Sequence, residues 1–282
     1  KSNRVFYNMV MLTRKSIAKH IALRLNEEKD LLKKSYQKSQ NFIGYFYIDN
    51  LLPEKIANAL FNLFPDISTM KKRNNIRENK YYLAQMDKLD DLIEETVFAF
   101  HDQKVIKIIE DICGLSNLFA DTELYAGGIS TMNKNQFLNP HLDNSHDKLR
   151  EKWRTLNLLY YMTPKWKIEY GGNLELWING LKKEPLTIFS KFNRLVVMTT
   201  NKYSWHSVSR VLHRGERCCI SNYYFSDKKP LQESNFHVTS FRGRPNQKIR
   251  DILLTIDNGL RSCIRKFFPF GIIKTKHFNK TQ

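Results

Sequence analysis

His141 and Asp143 flank Leu142, and His206 follows Asp143 by 63 residues. Two imidazoles and one carboxylate can hold a divalent ion on one face. The opposite coordination positions then stay open, which suits an Fe(II) that must still meet O2 and a cosubstrate. Alternate side chains of an extended chain point the same way, so His141 and Asp143 reach one ion if this stretch is a strand. Arg217 lies 11 residues beyond His206. Its guanidinium presents a two-pronged donor to a carboxylate. An isolated His-x-Asp is common by chance, so the surrounding chain has to decide.

The surroundings change texture near residue 120. Short runs of β-forming residues follow, separated by turn residues. Leu124-Tyr125-Ala126 runs into Gly127-Gly128, residues 156–162 form an apolar and aromatic run around Asn157, and Gly171-Gly172 precedes Leu174-Glu175-Leu176-Trp177. Residues 192–198 and 217–225 complete the series. Many short strands at such spacing predict a sandwich or barrel, one that could bring His206 beside His141.

The flanks read as helix. Within residues 8–40, Ile17, Ile21 and Leu25 form a stripe, which Arg14 and Arg24 approach closely. Residues 42–48 predict a strand and 54–64 a helix entered through Pro53. Residues 66–82 are polar and predict a surface loop or lid. Helices are expected near 88–100 and 104–113, the second ending at Gly114. Over 246–268, Ile249, Leu253, Ile256, Leu260, Ile264 and Phe267 mark an apolar stripe with Arg250, Arg261 and Arg265 turned away from it. That pattern predicts a helix packed on the sheet with a solvated basic face. The tail mixes aromatic and lysine residues and reads as partly disordered.

The chain of 282 residues carries a formal charge of +18. Residues 1–40 hold ten basic and three acidic side chains, and residues 241–282 hold ten and two. The excess therefore sits at the ends and speaks of partners rather than of chemistry. No apolar run is long enough to span a bilayer, and residues 1–19 lack the apolar core of a secretory signal. Four cysteines without a C-x-x-C pair argue against a zinc or redox motif and for buried thiols in a reducing compartment.

Taken in order, these segments resemble the Fe(II)- and 2-oxoglutarate-dependent oxygenases, in particular the prolyl-4-hydroxylase-like branch. Tyr125 with Gly127-Gly128, then His141-Leu142-Asp143-Asn144, then Arg154 to Met162 with its Tyr160-Tyr161 pair, carry the first half of the resemblance. Trp166 with Gly171-Gly172-Asn173-Leu174, Pro185, Asn193 to Met198, His206-Ser207-Val208, and Gly215-Glu216-Arg217 with Tyr223-Tyr224-Phe225 carry the second. It covers residues 42–64 and 120–226.

The resemblance implies an α+β protein: a double-stranded β-helix (a jelly-roll or cupin-like barrel) with packed flanking helices. With the flanks read from charge and periodicity, three units are expected, namely a basic helical extension at 1–41, an oxygenase domain at 42–240 with its core near 120–226, and a basic helix and tail at 241–282. His141, Asp143 and His206 would be the iron ligands, and Arg217 would bind the distal carboxylate of 2-oxoglutarate. Tyr125 and Tyr161 are candidates for cosubstrate contact, with plain core packing as the alternative. Asn144, Arg154 and Trp205 are candidate substrate contacts, with solvated surface or packing as theirs. The implied reaction hydroxylates an unactivated C–H bond and releases succinate and CO2. Asp143 favours it over halogenation, which needs a small residue there. Expected partners are a large or anionic substrate, whether glycan, lipid-linked precursor or protein, together with peripheral membrane contact. The expected location is the cytoplasm, at the inner face of the membrane. Two other readings stay open, a non-catalytic cupin-like barrel binding sugar or metal and a nucleic-acid binder using the basic flanks, although no strong nucleic-acid motif is present.

Overall fold

The computed structural model describes residues 12–229 and 236–268, so the first residues and the aromatic, lysine-rich tail lie outside it. In chain order come α1 (Arg14–Glu27), α2 (Lys29–Ser39), β1 (Tyr45–Ile48), α3 (Glu54–Asn62), β2 (Lys71–Asn74), β3 (Glu78–Leu83), α4 (Asp91–Ala99) and α5 (Gln103–Cys113). Then follow β4 (Leu118–Ala120), β5 (Gly128–Met132), β6 (Phe137–Leu142), β7 (Trp153–Tyr161), β8 (Leu174–Leu176), β9 (Leu186–Ile188), β10 (Arg194–Thr199), β11 (His206–Val208), β12 (Arg217–Ser226) and β13 (Ser240–Phe241), with α6 (Lys248–Phe267) last.

The strands form one antiparallel sheet in the order β1-β10-β7-β12-β5-β3-β6-β11-β8-β9. It curls because β3 pairs through Tyr81, Tyr82 and Leu83 with β5 and through Glu78 and Asn79 with β6. Residues 66–82, expected as a loop or lid, thus contain the β2–β3 hairpin, and β3 joins the two halves of the sheet. Its charged side chains hid a strand that is only half-buried.

Side-chain alternation sorts the sheet into two faces. On β7, Leu156, Leu158 and Tyr160 join the core beneath the helices, while Tyr161 belongs to a second cluster on the other face. On β12, Cys218, Ile220 and Tyr224 face the helices, whereas Arg217, Cys219, Ser221 and Tyr223 line a cavity. The helical layer is α1, α2, α4 and α5. Ile17, Ile21 and Leu25 of α1 are fully buried, so the expected stripe is core. Residues 14–39 share one hydrophobic cluster with the sheet and with α4 and α5. Asp102 caps the start of α5 by accepting from the Lys104 N–H, and Gly114 ends it in the left-handed conformation at φ 66°.

Helix α6 departs from its sequence pattern. Leu254 is its one buried residue, while Ile249, Leu253, Ile256, Leu260 and Phe267 face solvent. The helix docks instead through polar groups. Arg242 forks onto the Asp251 carboxylate at 2.7 Å, Arg77 forks onto Asp257 at 2.9 and 2.7 Å, and Asn258 bonds both backbone groups of Phe241. Directional bonds from two arginines and to the Phe241 backbone fixed the helix rotation here, and apolar periodicity did not.

Candidate metal centre and cosubstrate cavity

His141 on β6 and His206 on β11 are paired across the two strands, and their ring centroids lie 4.1 Å apart. Asp143 follows β6 by one residue. Its carboxylate oxygens lie 3.7 Å from His141 Nε2 and 3.8 Å from His206 Nε2. One donor atom from each residue lies within 4.8 Å of the other two. Both rings are tied from behind: His141 Nδ1 bonds the Asn139 carbonyl at 3.0 Å, and His206 Nδ1 bonds the Ser204 carbonyl at 2.9 Å. Such a bond requires Nδ1 to carry the proton, which leaves each Nε2 lone pair turned toward Asp143. Burial, then the neighbouring His206, depresses His141 to about 3, so its imidazole is neutral. Burial opposes charge on Asp143, yet Arg154 and then the two histidines hold its carboxyl below the ordinary range. Two imidazoles and one carboxylate are the donor set a divalent iron takes.

Arg154 reaches this centre through a β-bulge. On β12 the neighbours Tyr224 and Phe225 pair with Leu156 and Arg154 of β7, leaving Thr155 as the extra residue. The bulge reverses the alternation and turns Arg154 inward. Its Nη1 lies 3.6 Å from Asp143, its guanidinium lies 4.3 Å from the Tyr223 ring centroid, and its Nε and Nη2 are buried without partners. Arg154 was expected at the mouth as a substrate contact; at 2 % exposure it stands instead behind the aspartate.

Arg217 is buried on the same inner face. Its Nε donates to the Gly172 carbonyl at 3.0 Å, and its guanidinium lies 4.7 Å from the Tyr161 ring centroid. Among the described residues no carboxylate pairs with it, so its remaining donors are left for a ligand anion. The buried Tyr161 hydroxyl stands beside it and near Ser190, without a hydrogen bond of ordinary geometry to either. Gly172 makes the approach feasible: at φ +67° a Cβ there would press within 3.2 Å of Arg217 Cγ.

His141, Asp143, His206, Arg154 and Arg217 border one cavity of about 630 Å³, whereas Tyr161 is not part of its wall. Leu159, Leu174, Cys219 and Val208 supply its apolar wall, and seven basic side chains face it against two carboxylates, Glu78 and Asp143. Burial works against charge on Glu78, but Lys80 and then Arg73 hold its carboxyl down to about 2.

The other sequence candidates sort differently. Tyr125 lies on the loop between β4 and β5, its N–H bonded to Asp121 and its ring stacked on His146 at the rim. Asn144 is buried at the rim and donates to the His146 carbonyl. Trp205 lies outside the cavity wall, because alternation from His206 sends it to the other side, where its carbonyl accepts from the Trp177 N–H. Several lining residues were missed. Asn157, whose Nδ2 stands 3.5 Å from Asp143, was foreshadowed by one amide inside an apolar run. Lys80 and Tyr82 lay in the supposed loop. Phe241, stacked on His141 at 5.2 Å, carried no local signal, and Ile264 was legible only as part of the α6 apolar stripe.

Residues 127–225 match the model of the 2OG-Fe(II) oxygenase superfamily. They form a 2OG-Fe(II) oxygenase domain. The domain's fold agrees. The chain is similar to a Pseudomonas putida prolyl-4-hydroxylase, with a TM-score of 0.53 at 14% identity over 69% of this chain and 98% of that one. A Trichoplax adhaerens prolyl hydroxylase, solved with a hypoxia inducible factor peptide fragment, gives 0.51 at 19% over 76% and 97%. A Phytophthora capsici prolyl 4-hydroxylase gives 0.53 at 17% over 98% and 85%. At such identities these likenesses concern the double-stranded β-helix fold. No curated protein matches the chain. The domain is that of a 2-oxoglutarate-dependent dioxygenase, and His141, Asp143 and His206 are the residues that could hold its iron. Among the described residues no helix is long and apolar enough to cross a membrane.

Proposed function

We propose that this oxygenase hydroxylates a C–H bond of a large substrate bearing negative charge, with a protein side chain such as proline as the first candidate. The observation that carries the reaction is the pairing, in one cavity, of the His141, Asp143 and His206 donors with a buried Arg217 that has no protein carboxylate. His141, Asp143 and His206 would hold Fe(II), and Arg217 would grip the distal carboxylate of 2-oxoglutarate. Iron so bound, with 2-oxoglutarate and O2, supplies the oxidation that turns C–H into C–OH as 2-oxoglutarate becomes succinate and CO2.

The protein's own part is positional. The Asn139 and Ser204 carbonyls fix the histidine tautomers, and Arg154 keeps the aspartate charged and oriented. The apolar wall limits water around the cosubstrate, which strengthens the Arg217 pair. An unclaimed buried guanidinium also weighs against a plain cupin-like binding barrel, which has no need of a carboxylate clamp. The basic excess around the cavity supports a substrate with anionic groups, and the peptide seen with the Trichoplax enzyme supports trying polypeptides first.

Succinate formation is the test. It should require Fe(II), rise with acidic proline-containing peptides more than with basic ones, and vanish in His206→Ala. Substrate-independent turnover that survives in His206→Ala would overturn the metal assignment. Equal stimulation by acidic and basic peptides would overturn the charge preference.

A further inference from the structure

Helix α6 presents its apolar side outward. Ile249, Ile252, Leu253, Ile256, Leu260 and Phe267 are between 49% and 78% exposed. At 3.6 residues per turn these positions fall within an arc of about 100°. The opposite side carries Asp251, Leu254 and Asn258, which hold the helix to the domain. The outward orientation is therefore enforced. Rotating the helix by half a turn would break both arginine forks and the two Asn258 bonds, and would leave Arg77, Arg242 and the Phe241 backbone groups facing apolar side chains without these partners.

The charge around the arc is one-signed. Both carboxylates of α6 are engaged, Asp251 by Arg242 and Asp257 by Arg77 and Arg261. Lys248 and Lys266 are exposed. They stand 18 residues, or about five turns, apart and so border the same side of the arc. Arg261 is bonded to Asp257, Asn258 and the Thr239 carbonyl, so it serves the latch and is no free contact for a partner.

We propose that α6 docks on a lipid surface containing anionic headgroups. Its apolar arc would seat in the interface while Lys248 and Lys266 meet phosphates. A two-fold pairing of α6 with a second copy is less favourable. Run antiparallel, such a pair would bring Lys248 of one copy against Lys266 of the other, with no carboxylate on that border to offset them. Because Ile264 and Arg265 of the same helix line the cavity, docking there would hold the cavity mouth close to the surface. The inference rests on the helix alone and does not depend on the reaction proposed above.

Vesicle sedimentation of the full chain tests it, using phosphatidylcholine with phosphatidylglycerol and phosphatidylcholine alone. Cys263 is exposed on α6 while Cys113, Cys218 and Cys219 are buried, so a polarity-sensitive thiol dye reports on that face. The expected result is binding to the mixed vesicles, a blue shift of the dye, and affinity about tenfold or more lower in Ile256→Glu and Leu260→Glu. Lys248→Glu with Lys266→Glu should weaken binding to the mixed vesicles only. Iron-dependent succinate formation should be unchanged in all of these variants. No sedimentation with either lipid, or equal binding by Leu260→Glu, would overturn the proposal. So would binding without a dye shift. A dimer that Leu260→Glu dissociates, with no vesicle binding, would assign the face to a second copy and equally overturn it.

Discussion

His141 and His206 are direct partners across β6 and β11, and each is fixed by a carbonyl two residues before it, that of Asn139 or Ser204. The metal site is thus written into a strand pairing and two local backbone bonds. Replacing one ring should empty the site without unravelling the sheet, because β11 is also held by β8. His206→Ala is expected to lower Fe(II) affinity by at least about 100-fold and to keep its far-ultraviolet circular dichroism. Metal content after gel filtration checks this, and a stoichiometric iron content in the variant would refute it.

Arg217→Ala should weaken 2-oxoglutarate binding about 10- to 1000-fold, the range for a charge-assisted two-pronged bond in a partly dry site. Arg217→Lys keeps the charge and loses the fork, so its deficit should be smaller. Calorimetric titration with 2-oxoglutarate in the presence of Mn(II) reads both. Wild-type affinity in Arg217→Ala would place the cosubstrate elsewhere.

Arg154 stands 3.6 Å from Asp143 in the cavity wall, which predicts a metal phenotype. Arg154→Leu should lower Fe(II) affinity about 10- to 100-fold, as removal of groups that orient metal ligands does. Arg154→Lys should recover part of the loss. Competition against a chromogenic chelator measures it. A changed KM for substrate with unchanged iron affinity would return Arg154 to the substrate.

Burial depresses His101 to about 4, against the opposing hydrogen bond that it donates to Asn222, and it depresses His146 to about 4. An ordinary histidine titrates near 6.5, so the unfolded chain takes up these protons first as pH falls. The metal-free protein should therefore lose stability between about pH 6.5 and 4, by about 1–3 kcal/mol per group. Below that window these two residues add no further loss. His101→Gln should flatten the fall in Tm over this interval, and an unchanged slope would exclude His101 as its source.

Asp257 takes both Arg77 and Arg261, which ties α6 to the β2–β3 hairpin. Asp257→Asn should cost about 1 kcal/mol of local stability, since these groups are partly solvated. The loss should show as faster amide exchange across Lys248–Phe267 with the β7 and β12 amides unchanged. Uniform exchange behaviour would mean that the other latches suffice.

The sequence by itself determined the chemistry and most of the scaffold. His-x-Asp on a strand, a distal histidine and a following arginine were legible because ligand types and strand alternation are local properties. So were the Ile17, Ile21 and Leu25 stripe and the Gly114 helix stop. Tertiary structure decided three things that no local pattern carries. Thr155, the extra residue opposite β12, turned Arg154 from the mouth to the metal centre, because bulge placement depends on the partner strand's register. The charged 66–82 stretch became β3, because its backbone completes hydrogen bonds for both β5 and β6 while its side chains remain partly in water. The last reversal is α6. Its apolar periodicity predicted a buried face. Bonds from Arg77, 180 residues away, and from Arg242 and the Phe241 backbone, which a strand pairing with β6 holds in place, turned that face to solvent.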